Sequence, residues 1–430
     1  MKRIVIFIDG TWNRPDARNP TNPVRLSRCV NHRDAEGREQ IVLYTPGVGS
    51  GRGNTRLGRL ADKWFGGALG WGTMEIIEDL YRQLVMIYQP GDAIMLMGFS
   101  RGAFAARSFA GVLRSCGIPP RRHIHRVREA ILRYASRDKS THPEDPSSYL
   151  FREEISPDTA TSEKEYNWRL ARGNTRPVRL MIDYIGVWDT VRALGLPEKL
   201  HFSDIANARY HFHDHDLSSS VVSARHAVAI DEYRWTYPAL PWSNLDTLNR
   251  RRRGAYLQQF FPGNHGSVGG GGGRVGLSSI TLHWIAMGAV QAGLSLDWEA
   301  FDGEATDLNS AERLTNQFGS RSPKGRDLQE MSSDRIKPRV ETELSLCALD
   351  RYVADVDYRP PVLSDLKDEL QGQSADQIDH LRALMIERDG GETHREGERR
   401  RPRQEIIRPW PWPERDTPEL RGPATAPSGE

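Results

Sequence analysis

The sequence predicts an α/β fold with a doubly wound, mainly parallel sheet and helices on both faces. Three observations lead there. Apolar, β-branched runs such as "RIVIFIDG" (residues 3–10) read as strands buried on both faces, the kind a parallel sheet uses. Such runs alternate with segments of helical spacing, the order a doubly wound sheet requires. Glycine-bearing turns separate one period from the other.

Along the chain, "QIVLYTPGVG" (40–49) repeats the first strand pattern. Residues 73–88 then set Ile77, Leu80, Tyr81, Leu84 and Tyr88 on one helical face, and Gln89-Pro90-Gly91 ends that helix before a strand over 92–97. An alanine-rich helix follows over 102–113. Further strands are expected in "RLMIDYIGVWDTV" (179–191) and "GAYLQQFFPGNH" (254–265), and a helix in "LSSITLHWIAMGAVQAGL" (277–294). "LSSSVVSARHAVAIDEYRW" (217–235) reads as helix-like. Residues 136–177 are polar with scattered prolines and read as a surface insertion, either a lid or a partly mobile loop. The domain is expected to fill residues 1–366. Residues 367–430 form an extension whose charge- and proline-rich composition from about 390 is that of a disordered tail.

Of the 430 residues, 59 are basic and 57 acidic, so the formal charge of +2 gives no global field toward nucleic acid. Three cysteines, Cys29, Cys116 and Cys347, are widely spaced and form no CxxC, which excludes a disulfide framework and the common zinc patterns and favours a reducing compartment. An apolar run of only five residues precedes Asp9, too short for a signal-peptide core, and no run approaches the length of a membrane span. The expected location is the cytoplasm of the producing cell, with any export by a route other than the general secretory one.

"MGFSRGAFAARSFAG" (97–111) holds the pattern G-x-S-x-G between a strand and a helix. There the glycines allow a sharp strand-to-helix turn, and the serine between them takes a strained backbone that lifts its hydroxyl clear. Ser100 is therefore a candidate nucleophile. It needs a histidine to take its proton and a carboxylate to hold that histidine. In α/β-hydrolases these follow in the order Ser, acid, His at later strand ends. Asp189 in "GVWDTV" and His265 in "FFPGNHGSVGGGG" stand in that order. Alternative readings are a turn-capping aspartate and a hydrogen-bonded loop histidine. Oxyanion donors are expected from the backbone N–H of Arg101 and from the Gly10-Thr11 loop after the first strand.

Other motifs carry less. "IFIDGT" is similar to the DxDGT motif of haloacid-dehalogenase-like phosphatases, but Phe7 stands where their nucleophilic aspartate belongs, so Asp9 is read as structural or orienting. Neither "PGVGSGRGN" (46–54) nor the glycine run 269–273 fits a phosphate-loop pattern, and no cofactor is expected. "HFHDHD" (211–216) has metal-ligand residue types without a known ligand spacing; capping by Asp214 or Asp216 is the simpler reading, and no metal is expected. His226 and Asp231-Glu232 are read as core support. Arg250 to Arg253 could draw anionic headgroups at about 1 kcal/mol each, giving peripheral membrane contact, or form a solvated loop as charge runs usually do.

Together "FIDGTWN", "GFSRGAFAARSFAG", "GVWDTV", "HAVAIDEYRW", "FPGNHGSVGGGG" and "YRPPVL" (358–363) resemble, in order, the signatures of an α/β-hydrolase family long described as a domain of unknown function, which includes bacterial type VI secretion phospholipase effectors. The resemblance spans about residues 1 to 365. It implies an α/β-hydrolase-like catalytic domain with Ser100 as nucleophile, Asp189 as acid and His265 as base. It also implies a lipid or other ester substrate, cleaved through an acyl-enzyme, and a secretion-system carrier or immunity protein as partner. Where that family usually has an acidic residue two positions after the histidine, this chain has Ser267. The alternative is an inactive hydrolase-fold interaction module.

Overall fold

The computed structural model describes residues 1–10, 13–47, 66–136, 138–174, 177–191, 216–234, 237–250, 255–305, 308–314, 338–339, 343–364 and 374–389. Six strands form one wholly parallel sheet: β1 (Arg3–Ile8), β2 (Gln40–Thr45), β3 (Ala93–Phe99), β4 (Ile182–Trp188), β5 (Val221–Ala229) and β6 (Tyr256–Phe261). Their spatial order is β2-β1-β3-β4-β5-β6. The chain winds outward from β1 in one direction to β2 and in the other to β3, so the topological switch lies between β1 and β3. Ligands of open α/β sheets bind beyond the carboxyl ends of the strands at such a point. Register aligns those ends: Ile8 pairs with Gly98, Phe99 with Trp188, Trp188 with Ala227, and Ala229 with Phe261.

The period of two in β1 separates the faces. Ile4, Ile6 and Ile8 enter one core with Leu80 and Leu84 of α2 (Gly66–Ile87), Phe109 of α3 (Arg101–Cys116) and Ile131 of α4 (Val127–Tyr134). Val5 and Phe7 enter the other with Leu26 of α1 (Asn22–Ser27) and with Ile280, Trp284 and Ile285 of α8 (Gly276–Gln291). The doubly wound α/β-hydrolase-like architecture expected from the sequence is the one observed.

One expectation changes, and two regions gain detail. Residues 221–229, read as helix-like, are β5, the strand next to the β6 edge. Its polar Arg225 and His226 are buried and satisfied by partners remote in sequence: Arg225 donates to the Trp284 carbonyl, and His226 Nδ1 bonds Gln258. The insertion contains helices α5 (Pro146–Ile155) and α6 (Glu163–Ala171), and it is anchored at the far end of α3 from Ser100. There Arg152 donates to the Ser115 carbonyl and Ser156 to that of Cys116, so the described part of the insertion packs on the base of α3. Ahead of residue 390 the extension contains helix α10 (Ala375–Arg388), which follows α7 (His265–Gly269) and α9 (Leu346–Ala354) in the chain. It buries Met385 in a third cluster with Phe260 of β6 and Leu349 of α9, and Gln259 donates to Asp389.

Candidate active site

Ser100 sits at the joint of β3 and α3 with φ 60° and ψ −125°. Its N–H still donates to the Trp188 carbonyl at 3.0 Å, so the ladder holds the chain in place up to the serine before the helix begins. The flanking glycines are required by contact. A Cβ on Gly98 would stand 2.6 Å from the Gly102 carbonyl oxygen, and one on Gly102 would stand 2.2 Å from that of Ile8. Helix α3 therefore starts directly against the end of β1. Among the described residues only Ser100 and Asp189 (φ 36°) are non-glycine residues with positive φ. Such backbone costs about 1–3 kcal/mol per residue and persists only where neighbours over-determine it.

Asp189 follows β4, and its N–H donates to the Ala227 carbonyl at 2.7 Å. Its Oδ1 accepts from the Ala229 N–H at 3.0 Å, and its Oδ2 lies 2.6 Å from His265 Nδ1. His265 Nε2 lies 2.8 Å from Ser100 Oγ. With the carboxylate accepting at Nδ1–H, Nε2 carries the lone pair and accepts from the serine hydroxyl. All three side chains are buried, Asp189 at 0% exposed and the other two at 4%. The imidazole packs on Phe99 (ring centroids 4.6 Å) and Tyr237 (4.9 Å). The three residues singled out from the sequence thus meet at one strand-end edge.

The loop that delivers His265 is held by the pair read as core support. Asp231 Oδ2 accepts from the Gly263 N–H at 2.6 Å, and Glu232 Oε2 accepts from the His265 N–H at 3.2 Å. Burial raises the Asp231 pKa, opposed by that bond and by the Tyr358 hydroxyl at 3.1 Å. Burial also works against an ionised Glu232, but Arg234, through a two-point contact at 2.8 and 2.7 Å, and the nearby His265 hold its carboxyl below the usual range. The Arg234 guanidinium lies 3.9 Å above the Tyr237 ring, which links this ion pair to the face of His265. The available signal was the spacing of "AIDEYR", two carboxylates at a strand's end. Asn264 caps α7 by accepting from the Ser267 N–H, and Ser267 Oγ donates to the Leu314 carbonyl at 2.8 Å. A carboxylate at 267 could not make that donation.

At the first helical position, the Arg101 N–H has no carbonyl four residues back to bond. Gly10 adjoins the nucleophile, since a Cβ there would lie 3.2 Å from Ser100 Cβ, but its N–H is directed to Asp9 Oδ1 at 2.6 Å. Asp9 also accepts from Thr21 (2.6 Å), Tyr44 (2.8 Å) and Asn13 (3.1 Å), and burial raises its pKa. It ties the β1 exit together. Thr11, His211 to His215, and Arg251 to Arg253 lie outside the described residues. Asp216 accepts from Ser243 and caps no helix among the described residues. Burial pushes each of the three thiols up to about 12, which leaves no thiolate at neutral pH. Among the described residues no helix is long and apolar enough to cross a membrane.

Comparison with known proteins places this chain in a family. An uncharacterized protein of Saccharomyces cerevisiae is 27% identical over 250 residues, 56% of this chain and 32% of that protein. This chain thus spans about a third of that relative's length. An uncharacterized protein from Pseudomonas aeruginosa aligns in structure over 91% of this chain and 62% of its own, with a TM-score of 0.38 and 18% identity. The Tle1 effector bound to the VgrG spike from the type VI secretion system aligns over 62% of this chain and 51% of its own, with a TM-score of 0.31 and 19% identity. A family model described as the catalytic domain of Tle1-like type VI secretion phospholipase effectors matches residues 2–287, a span that contains all six strands and Ser100, Asp189 and His265. The chain belongs to the family of Tle1-like phospholipase effectors, through their catalytic domain.

Proposed function

We propose that this domain hydrolyses carboxylic esters of phospholipids by a serine mechanism. The observation that carries the reading is the continuous relay Ser100–His265–Asp189, with links of 2.8 and 2.6 Å. Ser100 Oγ attacks the ester carbonyl as His265 Nε2 takes its proton, and Asp189 stabilises the imidazolium that forms. The oxyanion is met by the Arg101 N–H, and the Gly10 N–H is engaged by Asp9. His265 then protonates the leaving alcohol, an acyl-enzyme remains, and water activated by His265 releases the fatty acid.

Family membership supports phospholipid as the substrate class. A second feature agrees with it. The half-buried Arg101 side chain, next to the nucleophile, has no hydrogen-bond or ion-pair partner among the described residues, whereas nearby Arg234 is matched by Glu232. Burial lowers its pKa, as for a cation short of counter-charge, and a phosphodiester would supply one. The same family description supports export by the type VI route with a carrier of that apparatus as partner.

The test is fatty-acid release, followed by mass spectrometry, from phospholipid vesicles and from uncharged esters by wild type and Ser100→Ala. The expected loss is about 10⁴-fold or more, with a fluorophosphonate adduct on Ser100 of the wild type only. Equal turnover by the two proteins, or no adduct, overturns the mechanism and favours an inactive interaction module.

A further inference from the structure

Behind Asp189 stands a second buried histidine that the proposed relay does not use. His226 lies inside the sheet, paired in register with Val187 of β4 on one side and with Gln258 of β6 on the other, and is 0% exposed. Its Nε2 accepts the N–H of Thr190 at 3.2 Å. Its Nδ1 bonds Gln258 Oε1 at 3.1 Å, and the same oxygen accepts the backbone N–H of Trp242 at 2.7 Å. Two backbone amides therefore fix the chemistry. The Trp242 N–H requires the oxygen of Gln258 to face this way, so Nδ1 must be the donor, and the Thr190 N–H requires Nε2 to be the acceptor. His226 is a neutral imidazole with one defined tautomer.

The position of Thr190 gives that bond its meaning. Asp189 is left-handed, and the direction in which its carboxylate leaves the strand depends on where the next peptide is held. That peptide belongs to Thr190, whose carbonyl accepts from the Leu240 N–H at 3.0 Å and whose N–H has His226 as its acceptor. Thr190 Oγ1 is buried without a hydrogen-bond partner among the described residues, so its hydroxyl contributes no alternative anchor.

We propose that His226 is a positioning residue for Asp189: its Nε2 lone pair holds the Thr190 N–H in the turn that aims the Asp189 carboxylate at His265. The site then contains two histidines of opposite duty, one that exchanges a proton with Ser100 and one that must not acquire a second proton. The inference rests on the serine-hydrolase reading given above.

The test compares His226→Gln with His226→Phe on an ester that the wild type hydrolyses. Glutamine can place an acceptor oxygen where Nε2 stands and an NH₂ toward Gln258, whereas phenylalanine keeps the ring and loses the acceptor. The expected result is that kcat of the Gln variant stays within about threefold of wild type, while the Phe variant loses about tenfold or more in kcat with KM changed less than about twofold, because the fault lies in proton transfer and not in substrate contact. Melting curves establish that both variants are folded at the assay temperature. A folded Phe variant with wild-type kcat, or equal losses in the two variants, overturns the proposal. Where phenylalanine prevents folding, His226→Leu replaces it. Where that fails too, the Gln variant decides alone: kcat within about threefold supports the role, and a tenfold loss overturns it. A wild type that hydrolyses no ester instead overturns the underlying function, and that outcome is read before any variant is made.

Discussion

Helix α3 has a buried polar cluster at each end, and the two are built in opposite ways. At its carboxyl end, Arg152, Glu165 and Arg169 are all 0% exposed. Glu165 accepts from Arg152 Nε at 2.8 Å, from Arg169 Nη2 at 2.5 Å and from the Thr161 N–H at 2.9 Å, and the arginines donate onward to the carbonyls of Ser115, Pro143 and Pro157. The backbone there is unstrained. At the amino end, Ser100 and Asp189 both occupy left-handed backbone, and the relay through His265 joins three strand ends in a single line. Burial of charge is common to both clusters, so burial alone does not mark chemistry. The amino end differs in having strain together with a proton that has somewhere to go, whereas the charges at the far end are committed to fixed acceptors.

The sharpest way to break this contrast is Asp189→Asn. The amide keeps the shape but offers an NH₂ or a weak carbonyl to His265 Nδ1, so the imidazole is no longer held in the tautomer whose Nε2 accepts from Ser100. A fall in kcat of about 10⁴-fold is expected, with secondary structure retained by circular dichroism. A loss below tenfold would make Asp189 a structural carboxylate of the same kind as Glu165.

The complementary change is Glu165→Gln, which leaves two buried guanidinium groups without an anion. Removing one partner from a buried ion network costs about 3–5 kcal/mol, read as a lower midpoint in urea unfolding. At a temperature where the variant is folded, its kcat should match wild type, because this cluster sits at the opposite end of α3 from Ser100. A tenfold drop in the folded variant would show that the insertion and the site are coupled through the helix.

The same contrast explains what was legible in the sequence. Strands β1, β2, β3, β4 and β6 were readable from runs dominated by apolar side chains, and Ser100 because the two glycines flanking it answer to backbone contacts that a local pattern reveals. Asp189 and His265 followed from their positions just past strand ends. β5 was hidden because Arg225 and His226 are hydrogen-bonded by Trp284, Gln291 and Gln258, partners 32 to 66 residues away, so the local text looked amphipathic. The insertion looked loose because its charges pair with one another inside it. The part played by Asp231 and Glu232 depends on a loop more than thirty residues later. Helix α10 did leave a local sign: Ser374 and Gln377 form a reciprocal capping box, the pattern S-x-x-Q ahead of a helix.

Glu232 joins the two halves of the comparison, since it is a spent carboxylate, paired with Arg234, that also holds the His265 N–H. Glu232→Gln should be the mildest of these changes, about 1 kcal/mol in stability, because the Arg234 side chain is 40% exposed and water takes over part of its solvation. Its pH dependence gives it a signature. A carboxyl held below its unfolded value contributes stability that is fully present above the unfolded pKa, near 4.3 for glutamate, and that is lost as pH falls through the folded value. The melting temperature of wild type should therefore exceed that of Glu232→Gln at neutral pH, and the gap should close as pH falls through the acid range. A gap that stays constant with pH would mean that Glu232 acts only through hydrogen-bond geometry. In that case the histidine loop would be held as the far cluster is, by fixed contacts, with no electrostatic share in the relay.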